Sequence, residues 1–181
     1  MMEMERETQA TRLSFTMVGG LIAFLLQLII APNIAILGAV PNFILCFVVL
    51  NAMSCGTIRS SLAGFILGLL YDLVAQGPLG IMSFVLAILG YAVSSLNKEL
   101  FAGSWAVQAL FLFIAAFFGE LLHAAFLSIL GYDSDFLLSL GMRVVPGTLY
   151  DALFGLIVFP LIQRFGERHA RDSRLLKGKF D

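Results

Sequence analysis

Gly64-Phe-Ile-Leu-Gly-Leu-Leu-Tyr-Asp-Leu-Val-Ala-Gln-Gly-Pro-Leu-Gly80 is almost wholly apolar, yet it carries one carboxylate, Asp72. Ser60, Gly64, Gly68 and Asp72 recur every four residues. On a helix that spacing makes one narrow stripe of small residues ending in a charge. Gly64 and Gly68 form a small-xxx-small pair, which lets a second helix backbone come close where the solvent is lipid. Gln76-Gly77-Pro78 then breaks the helix, because Gly and Pro together mark a tight turn. The stretch predicts a membrane helix with a partner along its small face and an answer to its charge.

The rest of the chain has the same character. Of 181 residues, 60% are hydrophobic and only 13% are charged, where soluble domains carry roughly 25% charged residues. Mean hydropathy is +0.96. A membrane-spanning helix needs about 20 mostly apolar residues, and six such windows fill the sequence. The expectation is an all-α polytopic membrane protein of six transmembrane helices, residues 13–163. A polar segment, 1–12, precedes it and a basic tail, 164–181, follows. Residues 1–12 hold Glu3, Glu5, Glu7, Arg6 and Arg12, so the start is net acidic. The apolar run after it is long, unlike a cleaved secretory signal. Cys46 and Cys55 are too few for a disulfide framework and read as packing thiols on opposite faces of one helix.

The spans are expected near 13–31, 41–54, 58–75, 79–96, 102–130 and 141–163. The second is short for a full span and reads as upright or partly interfacial. Trp105 reads as an interfacial anchor, Asn97-Lys98-Glu99 as a polar connector, and Gly131-Tyr-Asp-Ser-Asp135 as an acidic loop. Lys and Arg set orientation, because cytoplasmic loops are enriched in them. With both termini cytoplasmic, ten of the eleven basic residues lie inside: Arg6, Arg12, Arg59, Lys98, Arg164, Arg168, Arg171, Arg174, Lys177 and Lys179. Only Arg143 lies outside. The basic tail reads as a topology signal, or as a contact for anionic lipid or a cytoplasmic partner.

Asp72, Glu120, His123, Arg143 and Asp151 fall within predicted spans or at their edges. Such groups cost roughly 2.5–3.5 kcal/mol each on insertion scales and normally face partners inside a bundle. Glu120 and His123 share a helix face at i, i+3, at about the depth of Asp151. The sixth span has its own four-residue series, Arg143, Gly147, Asp151 and Gly155. Laid antiparallel to the third, it would set Asp72 by Arg143, Gly68 by Gly147, and Gly64 by Asp151. Structural pairing is one reading of these charges; proton, ion or small-molecule transport is the other. No second His or Cys in the spans matches Glu120 and His123 in depth, so no metal is expected. No nucleophile elbow, phosphate loop, zinc motif or CxxC is present, and no nucleic-acid signature. Neither an enzyme nor a cofactor is expected.

Several motifs in order resemble a known family. Pro41-Asn42-Phe43, Gly64-Phe65-(x)2-Gly68-(x)3-Asp72, Gly77-(x)2-Gly80 and Gly90-Tyr91, then Arg143, Pro146 and Asp151, resemble the rod-shape-determining MreD family. That family often has Asn where Asp151 stands. The resemblance covers nearly the whole chain and includes its length, span count and basic end. It implies a non-enzymatic subunit of the bacterial elongation complex in the inner membrane. It implies MreC as partner and, through it, MreB, RodA and a penicillin-binding transpeptidase; it also allows a homodimer. The fold it implies is similar to the substrate-binding subunit of energy-coupling-factor transporters. That likeness supplies the alternative, a vitamin-binding subunit of such a transporter. Its outer loops would then close a ligand pocket, whereas those here are short apart from Tyr132-Asp133-Ser134-Asp135. The intramembrane charges and the two four-residue series, several of them also in these motifs, make Asp72, Arg143, Asp151, Glu120, His123, Gly64, Gly68 and Gly147 structural or partner-site candidates.

Overall fold

The computed structural model describes residues 2–35, 40–54, 56–75, 77–96, 105–132 and 136–157. The described residues fold as six helices: α1 (Met2–Ile29), α2 (Phe43–Ser54), α3 (Thr57–Val74), α4 (Ile81–Ser95), α5 (Trp105–Ile129) and α6 (Phe136–Ile157). A 3₁₀ turn, Ala31–Ile34, follows α1. α3, α5 and α6 are long and apolar enough to cross a membrane on length and composition; Thr16–Ile29, Phe43–Met53 and Ile81–Ser95 are shorter apolar helices. The expected tail, Cys55 and the connector 97–99 lie outside the described residues.

Two boundaries differ from the expectation for identifiable reasons. α1 begins at Met2 rather than near residue 13. The polar run before Leu13 is rich in Glu, Met, Arg and Gln and has no Gly or Pro, so helix propensity carries the helix past the apolar part. α6 begins at Phe136 rather than near 141. Gly141 does not stop it, because residues Leu140–Val144 form a π turn. Pro146 has no N–H to give residue 142 and its ring crowds that carbonyl, a common cause of helix distortion.

α2 is the centre of the bundle and not an interfacial helix. Every residue from Pro41 to Met53 is buried. Its 12 residues make only about 18 Å of helix, against a hydrocarbon core of about 30 Å. A helix apolar on all sides belongs in an interior. α1, α3, α4 and α5 all pack against it, and Phe154 of α6 packs on Phe43 with ring centroids 4.2 Å apart and ring planes tilted by 52°. The core is Ile44, Leu45, Val48, Val49, Met82, Val85, Leu86 and Leu112 with their neighbours. Lipid is as apolar as these side chains, so close packing and polar satisfaction hold the bundle rather than a hydrophobic drive between helices.

The small stripe of α3 packs on α4, which corrects the expected pairing with the sixth helix. A Cβ at Gly68 would sit 2.5 Å from the Ser83 Cα, one at Gly64 would strike the Leu86 carbonyl, and one at Gly90 would lie 2.5 Å from the Ser60 carbonyl oxygen. Each step of four along α3 is answered by a step back along antiparallel α4. Ser61 Oγ adds a hydrogen bond to the Ala87 carbonyl at 3.0 Å.

Candidate functional site

Two polar nodes sit inside the bundle. The first is Asp72, 4% exposed, at the last turn of α3. Its Oδ2 accepts from the Gly80 N–H at 3.0 Å, the Ser83 N–H at 3.0 Å and the Ser83 hydroxyl at 2.8 Å; its Oδ1 accepts from the Met82 N–H at 3.1 Å. These N–H groups are the orphan donors of the α4 N-terminus, where the helix dipole favours an anion. Gly80 is left-handed, with φ of 100°, a conformation that Gly takes without a Cβ penalty. It turns the connector back so that α4 starts beside Asp72.

The expected Asp72–Arg143 pair is therefore replaced by a helix cap. Both Asp72 oxygens are engaged by α4, and Arg143 is exposed on the π turn of α6. A four-residue count from Arg143 assumes about 3.6 residues per turn, and the wider π turn takes Arg143 off the line of Asp151. Gly147 is buried, but among the described residues nothing lies within 4 Å of where its Cβ would be, so no described helix approaches it closely. Gly155 meets the Leu112 side chain of α5.

The second node is the N-terminus of α2, buried at the centre. Asn42 is its N-cap, with Oδ1 accepting from the Leu45 N–H at 3.0 Å, the usual use of Asn before a first turn. The Asn42 N–H donates to Asp151 Oδ1, and Asn42 Nδ2 donates to Glu120 Oε1 at 3.1 Å. Gln27 of α1 closes the cap. Its Oε1 accepts from the Phe43 N–H at 2.8 Å and its Nε2 donates to the Pro41 carbonyl at 3.1 Å. The Cys46 thiol lies 3.3 Å from the Asp151 carbonyl oxygen. At this depth water cannot serve the backbone, so the protein must satisfy it.

The structure thus joins two of the sequence-derived candidates, Glu120 and Asp151, through Asn42. His123, one turn on from Glu120, is half-buried, within electrostatic reach of Glu120, Arg143 and Asp72. Gln27 and Ser83 were not candidates from sequence, and Asn42 counted only as a turn residue and motif member. The signals were present: a Gln inside an apolar helix, and Pro-Asn immediately before an apolar run, which is a helix-start pattern. Among the described residues, no group of three or more His, Cys, Asp or Glu could hold a metal.

A six-helix membrane bundle with a buried central half-length helix, and with its intramembrane carboxylates tied to helix N-termini, defines a polytopic membrane protein whose polar groups serve its own fold. The description "rod shape-determining protein MreD" matches residues 9–168. The chain belongs to the MreD family, a family of rod-shape-determining membrane proteins. No curated protein matches it, and no solved structure matches it.

Proposed function

We propose that this chain is a non-enzymatic scaffold of the bacterial elongation complex, seated in the cytoplasmic membrane with both termini inside. Its direct partner on this reading is MreC. Through MreC it is linked to MreB, RodA and a penicillin-binding transpeptidase, and so to lateral wall synthesis. The family match over residues 9–168 carries the reading. The packing supports it: Asp72, Gln27 and Asn42 cap helices of this chain, while the outward faces are apolar. Ile58, Leu62, Phe65 and Leu73 on α3 are all exposed. Such faces suit helix-to-helix association in lipid. The family match favours this reading over a vitamin-binding transporter subunit. Affinity purification of the tagged full chain from membranes, with identification of what co-purifies, tests it. MreC should be recovered; recovery of a transporter ATPase pair in its place overturns the reading.

A further inference from the structure

We propose that Glu120 and Asp151 together hold one positive charge inside the bundle, as a proton or as a sodium-sized cation. Both carboxylates hydrogen-bond the same residue, Asn42: Asp151 accepts its backbone N–H and Glu120 its side-chain amide. Asp151 is 1% exposed. Its Oδ1 accepts the Asn42 N–H, while its Oδ2 is buried and, among the described residues, has no hydrogen-bond partner. Like charges gathered on one residue repel, and the buried Asp151 Oδ2 is out of reach of water.

The surrounding groups do not neutralise the pair. Glu120 is the charged group nearest in effect to Asp151. On α2, the Cys46 thiol donates to the Asp151 backbone carbonyl at 3.3 Å and lies within electrostatic reach of both carboxylates. Tyr71 of α3 lies within electrostatic reach of Glu120, Arg143, Asp72 and Asp151, but Asp72 is engaged by four donors of the α4 N-terminus. Arg143 is exposed on the π turn. Among the described residues, His123, three residues on from Glu120 on α5, is the other group that could supply charge. The α2 dipole contributes only about half a charge. The pair is left net negative, and the buried, unpartnered Asp151 Oδ2 is where a proton or a small cation would sit.

The test is thermal unfolding of the purified full chain in detergent. One series runs from mildly acidic to mildly alkaline pH at fixed sodium. A second exchanges choline chloride for sodium chloride at constant ionic strength and alkaline pH. A proton held only by the folded state makes stability fall as pH rises; a bound cation makes it rise with concentration. The wild type should shift by about 3–6 °C in one series, and the series that responds identifies the ion. Asp151→Asn keeps the shape, and its Oδ1 can still accept from Asn42. It should remove the response and leave the midpoint at or above that of the wild type at alkaline pH. Glu120→Gln should do the same and serves if Asp151→Asn fails to fold. His123→Gln should retain the response. The proposal is overturned if the wild type responds in neither series, if the Asn and Gln variants track the wild type, or if His123→Gln alone abolishes the response.

Discussion

At the scale of single residues, Asp72 shows how a charge can belong in a membrane bundle without a counter-charge. Its four donors are backbone N–H groups and a hydroxyl at the start of α4. Hydrogen bonds to a charged group contribute more than neutral ones, and a lost N-cap is costly. Asp72→Ala should destabilise the protein in detergent by about 2–3 kcal/mol. Arg143→Ala should change stability by less than about 0.5 kcal/mol, as exposed substitutions do. The double variant should equal the sum of the two, because the residues do not share a partner. A coupling well above the error of the melts would restore an Asp72–Arg143 contact. That Asp72 matters was legible from its isolation in an apolar run. Its partners were not, because backbone donors have no letter in the sequence. The common depth of Glu120 and Asp151 could be read from their places on two helices. The Asn42 that joins them could not be singled out, since Pro41-Asn42 reads equally well as a turn.

At the scale of elements, the same glycine pattern has two outcomes. Gly64 and Gly68 lie against α4 backbone with no room for a methyl group, whereas Gly147 has open space. Gly68→Val should therefore force α3 and α4 apart and cost about 1–3 kcal/mol or more. Gly147→Ala should be neutral or stabilising, since Ala is the better helix former by about 1 kcal/mol. Melting midpoints of the two variants against the wild type decide this; equal losses would contradict the assignment of the stripe. Periodicity shows that a helix has a small face but not which neighbour meets it. The short connector from α3 to α4 held the missing clue, because consecutive elements are usually adjacent in space. α2 was harder still. A short apolar run fits an interfacial helix and a central one equally well, and only its polar contacts separate them: the Gln27 and Asn42 caps at its start, and near its other end the Thr16 hydroxyl donating to the Asn51 side-chain oxygen at 3.1 Å.

At the scale of the whole molecule, the helical membrane fold was legible from composition and from six apolar windows, because lipid permits few solutions for a buried backbone. The order of packing was not legible, since in lipid every apolar face is equally content outside. On the proposed function, the partner surface lies on those outer faces and the interior polar groups serve the fold. Site-specific photo-crosslinking in intact membranes, from Ile58, Leu62 and Phe65 on the exposed face of α3 and from the exposed apolar positions of α1, α4 and α5, tests that division most directly. At least one contiguous helix face should capture MreC, with neighbouring faces giving lipid alone. Adducts confined to lipid or to a second copy of the chain, from every exposed position, would contradict it.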